Sequence, residues 1–295
     1  MLAAAATGAV AQPGPPGPPA GGPPPGAPPG GGALIMAPVL TPAQKLVQAL
    51  PPPQAGGLFP LKPLAPDGPL PSRDPRDLQG AWSHNQPLEA RIQKDMYGVA
   101  IPYTMAGAKV LARRVNSAQN GKPFTNASAI CRPPGPQWQR DLNFPFQIFQ
   151  SKAWIEVVFE EYHGRWQILL DPSRSPPPAQ KRYMGRSTGR WDGNTLVVES
   201  ADFKQALWLD VDGTPLSANG KLIQRIRKVD NGNRKPYLEM VTTVIDPVYY
   251  AEPWSFVRTF SWQPDDAHFH EYNCEEQVGD PDVKVDAGLV PEPKD

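Results

Sequence analysis

Two histidines near the end of the chain, His268 and His270, have the spacing that most directly suggests chemistry. Side chains two apart on a β-strand project from the same face, so both rings could bind one metal ion. A third ligand, such as His84 or a carboxylate, would have to come from another element. Without that ligand the pair is an ordinary strand surface. A metal site at His268 and His270 is therefore the less favoured hypothesis.

Arg258 is the second candidate, because it interrupts an aromatic row. Residues 254–262 alternate, which places Trp254, Phe256, Arg258, Phe260 and Trp262 on one face of a strand. A guanidinium there can stack on the rings, pair with a buried carboxylate or hold the anionic group of a ligand. Equally, it can lie on an outer aromatic face that contacts solvent. We predict a ligand site formed by Arg258, Trp254, Phe256, Glu156 and His270.

The carboxylates Glu156, Glu160 and Glu161 are candidates for acid–base chemistry because they lie on an aromatic strand, and Asp246, before Pro247, is another candidate. A carboxylate inside an apolar barrel would have a raised pKa and could transfer protons. The alternative is that Glu156 and Glu160 share the solvent face of a half-buried strand, which is the more common arrangement.

Other kinds of chemistry lack their motifs. The sequence has no Gly-rich phosphate loop, no Gly-x-Ser-x-Gly and no Cys-x-x-Cys, so we expect no cofactor. The 29 basic residues balance the 29 acidic ones, which argues against nucleic acid as a partner. No apolar run is long enough for a transmembrane segment.

The elements that must position these residues are short strands. Between residues 146 and 274 we count seven to nine of them. Asp192-Gly193 marks a tight hairpin turn, and Asp230-Asn231-Gly232-Asn233 marks a second hairpin. A helix is predicted from Thr104 to about Ala118. An antiparallel set of this size must close or stack to protect its edges. We predict an all-β fold, an antiparallel up-and-down (lipocalin-like) barrel over residues 76–276 with a short helical insertion; a sandwich is the alternative.

The segment before the barrel has a different composition. More than half of the 40 prolines lie in residues 1–75, where Phe59 is the only aromatic residue. Such a segment cannot bury enough apolar area to offset the entropy of ordering it. We predict a disordered Pro/Gly-rich arm over residues 13–75, containing a short helix near 42–50 that docks on the chain's own domain or on a partner protein. Residues 277–295 are predicted to be an acidic disordered tail.

Export is predicted from the first twelve residues and from the cysteines. Ala9-Val10-Ala11 has the form of a signal-peptidase site, and residues 1–12 are interpreted as a signal-peptide remnant whose basic start lies upstream. Cys131 and Cys274 are then most simply one disulfide, although two unrelated buried thiols are the alternative. The expected location is periplasmic or secreted.

Several motifs resemble a large family of uncharacterised exported bacterial proteins. The likeness covers about residues 77–277, and its motifs are Leu78-x-Gly80-x-Trp82, Pro102-Tyr103-Thr104, Cys131-x-Pro133-Pro134-Gly135, Phe146-x-Ile148-x-Gln150, residues 185–198, Asp246-Pro247-x-x-Tyr250-x-x-Pro253-Trp254 and Glu271-Tyr272-x-Cys274-x-Glu276. The resemblance implies a lipocalin-like or streptavidin-like barrel and names no reaction. The family usually has histidine at or near positions where this chain has Arg186, Leu216 and Lys221, so a histidine site in relatives would be largely lost here.

Three functions remain open. The first is an exported barrel that binds a small, mostly apolar molecule. The second is a secreted hydrolase or isomerase that uses carboxylate or histidine acid–base chemistry in the barrel. The third is an accessory subunit that docks on a protein partner through residues 13–75. We favour binding over catalysis.

Overall fold

The structure is a computed structural model of the 295-residue chain. It describes residues 39–53, 72–84, 91–142, 144–161, 164–171, 173, 180–232, 235–263 and 290–293. The predicted signal remnant, most of the predicted arm and tail, and His268, His270 and Cys274 lie outside the described residues.

Nine strands form a closed barrel, which confirms the predicted fold class. Around the barrel, the strands stand in the order of the chain, from β1 through β6 and then β9, β10 and β11. The barrel closes where β11 pairs with β1. These strands are β1 (Gly80–His84), β2 (Phe146–Gln150), β3 (Trp154–Phe159), β4 (Arg165–Leu169), β5 (Arg186–Asp192), β6 (Thr195–Ala201), β9 (Lys221–Val229), β10 (Tyr237–Ile245) and β11 (Trp254–Trp262). A separate small ribbon pairs β7 (Leu207–Trp208) with β8 (Pro215–Leu216).

One pair of neighbouring strands, β4 and β5, is parallel. Every other pair in the barrel is antiparallel. The reason is the odd number of strands, because a closed ring of alternating directions requires an even number. A nine-stranded barrel must therefore contain at least one parallel pair.

The hairpin predicted at Asp192-Gly193 is confirmed. Asp192 pairs with Thr195, which leaves Gly193 and Asn194 as the loop. Gly193 has φ 58°, a conformation that tight two-residue hairpins need and that glycine adopts without steric cost.

The barrel interior contains two apolar clusters. The helix-side cluster includes Leu222, Val244, Trp254 and Phe256 and extends to residues of the helices. The distal cluster includes Ile226, Leu238, Met240, Phe260 and Trp262. Inward-facing polar residues lie between the two clusters, and we call them the polar layer: Ser187, Ser200, Gln224, Thr242 and Arg258.

Three helices complete the described fold: α1 (Pro42–Gln48), α2 (Met105–Gln119) and α3 (Pro136–Asp141). Helix α2 begins after Thr104, whose hydroxyl accepts a hydrogen bond from the Gly107 amide at 3.2 Å, and its Leu111 packs in the helix-side cluster. Helix α1 lies within residues 42–50, as predicted, and Leu46 and Val47 pack against the same cluster. The amide of Gln44 donates to the Ala100 carbonyl at 3.1 Å, so α1 docks on the chain's own domain.

Among the described residues, no helix combines the length and the apolar character needed to cross a bilayer.

Gly107 provides a test of how closely α2 approaches the barrel. A Cβ at this position would lie 2.3 Å from the carbonyl oxygen of Tyr249. Gly107→Ala should lower the free energy of unfolding by about 1–2 kcal/mol, because the clash exceeds the gain of about 1 kcal/mol in helix propensity. Urea unfolding measures this change. Ala106→Gly, on the exposed face, is the matched control and should cost about 1 kcal/mol; a stabilised Gly107→Ala would contradict the close approach.

Candidate ligand site

Helix α3 is buried along its whole length, and its side chains contact residues of the polar layer. All six of its residues are buried, and it begins with Pro136, which suits the first turn of a helix. Gln137, Arg140 and Asp141 stand at positions i, i+3 and i+4, so they share one face. The contacts of that face with β10 and β11 show that it is turned towards the polar layer.

Gln137 and Asp141 connect α3 to two barrel strands. The Oε1 atom of Gln137 accepts hydrogen bonds from Thr242 Oγ1 at 3.2 Å and from Arg140 Nη2 at 2.8 Å. The Oδ2 atom of Asp141 accepts from Arg258 Nε and from Gln137 Nε2, both at 3.0 Å. Arg258 is thus paired with a buried carboxylate, which is one of the roles considered for it from the sequence.

His84 adds a titratable group to this region. Its Nε2 atom lies 3.8 Å from Asp141 Oδ1, and its ring meets the Phe260 ring edge-on, with 5.5 Å between centroids. His84, Asp141 and Arg258 all have buried side chains. Three ionisable groups therefore converge at one end of the polar layer.

Arg140 is held over an aromatic ring. Its guanidinium carbon lies 4.6 Å from the centroid of the Trp166 ring, and the residue is 1% exposed. Trp166 is itself fixed, because its Nε1 donates to Ser187 Oγ at 2.8 Å and Ser187 Oγ is 2.7 Å from Ser200 Oγ. Burial lowers the pKa of Arg140 to about 9, and the negative charge of Asp141 opposes that shift.

Arg140 and Gln224 each keep two buried polar atoms without hydrogen-bond partners, and Gln139 and Asp141 keep one each. Nε and Nη1 of Arg140, and both amide atoms of Gln224, form no hydrogen bond with the described part of the chain. Gln224 is fully buried on β9, directly opposite Thr242 on β10. Leaving a buried polar group unpaired costs about 1–3 kcal/mol, so the two unpaired atoms of Gln224 in the polar layer and the two of Arg140 on α3 are unfavourable in an ordinary core.

The predicted ligand residues lie in different places. Arg258 is in the polar layer, whereas Trp254 and Phe256 belong to the helix-side cluster, with 5.4 Å between their ring centroids. Glu156 lies on the outer face of β3, because its neighbours Ile155 and Val157 occupy the inner positions. There it forms two hydrogen bonds with exposed Arg165, at 2.9 and 2.8 Å, so it does not reach the interior.

The metal hypothesis remains a prediction. His268 and His270 lie outside the described residues, and so does Cys274 of the predicted disulfide. Within the ranges that the structure describes, no three His, Cys, Asp or Glu side chains are grouped closely enough to hold a metal ion.

Arg186, Leu216 and Lys221 do not converge on the polar layer. Arg186 pairs with Asp202, Leu216 is buried in the helix-side cluster, and Lys221 is half exposed.

Sequence reasoning missed Arg140, Gln137, Asp141 and Gln224. Residues 136–141 carry too many polar side chains to predict a buried helix. Gln224 did leave a signal, because it occupies the inward position between Leu222 and Ile226 on an alternating strand.

A buried carboxylate, Glu161, contacts helix α3 through its backbone. Glu161 follows β3 and is buried, and burial together with the adjacent Glu160 raises its pKa to about 7. Gln139 of α3 donates to the Glu161 carbonyl at 2.6 Å.

An open surface cleft of about 760 Å³ lies between residues 72–79 and the strand ends at Gln150 and Trp191.

Comparison with protein-family models, with curated proteins and with solved structures finds no match for the chain.

The Asp141–Arg258 pair can be tested against a matched surface pair. Asp141→Asn should lower the free energy of unfolding by about 3–5 kcal/mol, because it leaves the Arg258 guanidinium buried without its carboxylate. Glu156→Gln removes the carboxylate partner of an arginine side chain that is 67% exposed, and should cost no more than about 1 kcal/mol. Urea unfolding of both variants measures the difference, and equal losses would contradict the importance of the buried pair.

The raised pKa of Glu161 predicts a pH dependence of stability. Between its ordinary value of 4.5 and about 7, the folded state holds a proton that the unfolded state releases. Glu161 therefore makes the protein less stable as the pH rises through this window. Glu161→Gln should flatten the decline in unfolding free energy, measured by urea unfolding across the window.

The control for this experiment is Glu199→Gln, which alters an exposed carboxylate on β6. Asp210, whose pKa is raised to about 6 by burial, contributes a slope of the same sign in every variant and cancels in the comparison. Identical pH profiles for Glu161→Gln and the wild type would overturn the prediction.

Proposed function

We propose that the barrel binds a small, mostly apolar molecule whose polar group lies in the polar layer. The observation that carries this proposal is Gln224, a fully buried amide with neither its donor nor its acceptor paired within the described chain. An amide of this kind can both donate to and accept from a bound polar group.

The surroundings of Gln224 favour such a ligand. Leu222 on one side belongs to the helix-side cluster, and Ile226 on the other side belongs to the distal cluster. Binding sites for small molecules are commonly apolar with a few polar groups that fix orientation. A molecule with an apolar body and one polar group matches this alternation.

Glutamine at position 224 is unfavourable for the stability of the ligand-free barrel. A leucine or methionine at position 224 would extend the apolar clusters without an unpaired amide. Gln224 instead costs stability in the ligand-free protein, which is a common property of residues retained for function.

Export to the periplasm or the medium, and a Cys131–Cys274 disulfide, are part of the same proposal. Their support is the signal-like start of the sequence and the absence of a free thiol among the described residues.

An acid–base enzyme is the second candidate. The observation that favours it is the approach of His84 Nε2 to within 3.8 Å of Asp141 Oδ1 in a buried region. In such an enzyme His84 would transfer the proton, and Asp141 would orient its ring. The third hypothesis, docking on a partner through residues 13–75, stays a prediction.

Substitution of Gln224 tests the binding function. Gln224→Met should weaken the binding of a neutral probe such as octanamide about tenfold, because it removes the group that meets the ligand's polar end. The same substitution should raise the free energy of unfolding without ligand by about 1 kcal/mol or more, since it removes an unpaired buried amide. Isothermal titration calorimetry and urea unfolding measure the two effects.

The control is Thr243→Val on the neighbouring strand, where Thr243 lies on the outer face. Its hydroxyl is paired with Ser255 Oγ at 2.8 Å, so the substitution should lower stability by no more than about 1 kcal/mol and leave the probe's affinity within about threefold. The proposal fails if the wild-type protein binds none of the three probes octanamide, octanol and octanoate. It also fails if Gln224→Met leaves the affinities for these probes unchanged.

A further inference from the structure

We propose that the polar group of the ligand is a carboxylate, and that Arg140 is the residue that recognises it. This inference rests on the proposed function, because it names the chemical class of the molecule bound in the same polar layer.

The first observation is the incomplete pairing of Arg140. Among the described residues, its one hydrogen bond goes from Nη2 to the neutral amide oxygen of Gln137, at 2.8 Å. Nε and Nη1 donate to nothing within the described chain, although the residue is 1% exposed. Buried guanidinium groups are normally hydrogen-bonded to an anion, because removing a charge from water is costly.

The second observation concerns the nearest carboxylate, Asp141, which is not aimed at Arg140. Oδ2 of Asp141 is shared between Arg258 Nε and Gln137 Nε2, both at 3.0 Å, and Oδ1 faces His84 Nε2 at 3.8 Å. Asp141 therefore interacts with Arg140 through its charge and forms no hydrogen bond with it. An additional anion is needed to satisfy the two unpaired donors.

The third observation is that Arg140 is already held in position. Gln137 fixes one end of the guanidinium, and the Trp166 ring lies against it at 4.6 Å from the guanidinium carbon. Trp166 is in turn tied to Ser187 on the next strand. A guanidinium that is fixed before binding loses little entropy when it pairs with a carboxylate, which favours recognition by geometry.

The ligand class follows from these three observations. Arg140 supplies a single positive charge, which suits a monoanion, and planar carboxylates match the donor pattern of guanidinium groups. Gln224 supplies a further donor and acceptor in the same layer. The best ligand is thus an organic monocarboxylate with an apolar chain or ring.

The experiment compares three probes that share one apolar chain: octanoate, octanamide and octanol. Isothermal titration calorimetry at fixed pH and salt should show that the wild-type chain binds octanoate at least about tenfold more tightly than octanamide. Arg140→Gln should weaken octanoate about 30-fold or more, because a buried charge pair is lost, while octanamide changes less than about threefold. Arg165→Gln, which alters an exposed arginine on the outer face, should change none of these values.

Each outcome separates this inference from the proposed function. Equal affinities of octanoate and octanamide in the wild type overturn the role of a carboxylate and leave the binding function standing. Absence of binding by all three probes overturns the proposed function itself. Selectivity for octanoate that survives in Arg140→Gln shows that another cation recognises the ligand. If Arg140→Gln does not fold, Arg140→Lys takes its place and should weaken octanoate while keeping the preference over octanamide.

Discussion

The interaction on which the rest of the structure depends is the buried hydrogen bond between Asp141 and Arg258. It joins the buried helix α3 to the strand that closes the barrel against β1. Neither group is tolerable alone in such surroundings, because an unpaired buried charge costs several kcal/mol. Helix α3 must therefore keep one position and one rotation, and this positions Gln137 and Arg140 as well.

The polar layer also explains why the core is divided in two. On β9, β10 and β11 the inward positions change from apolar to polar and back again within five residues, at Gln224, Thr242 and Arg258. A continuous core would bury more apolar area and would be more stable. The division makes sense if the middle of the barrel serves binding, with the apolar clusters acting as its two walls. In that case stability comes from the ends of the barrel and specificity from its centre.

The closed barrel was predictable from the sequence because its signals are local. Alternation along β11, the turn at Gly193 and the capping threonine before α2 each depend on a few adjacent residues. The site was less predictable, since it depends on a short polar helix, residues 136–141, being buried against Thr242 and Arg258. Arg258 was singled out because it interrupts an aromatic row, but its partner is 117 residues away in sequence. Glu156 was placed in the predicted site for a different reason. Alternation along a strand shows which residues share a face, but it does not show which of the two faces points into the barrel.

The parallel pair β4–β5 gives the barrel a seam. Only Ile168–Ser187 and Leu169–Thr188 are paired there, whereas β10 and β11 are paired from Tyr237–Ser261 to Val244–Trp254. With two residue pairs, β4–β5 has the shortest ladder of the barrel, since β1–β2 and β1–β11 have three pairs each. Transient opening of the folded protein should therefore begin at β4–β5, with the fastest amide hydrogen exchange of the barrel. Because the Trp166–Ser187 hydrogen bond crosses this seam, opening would release the ring that supports Arg140.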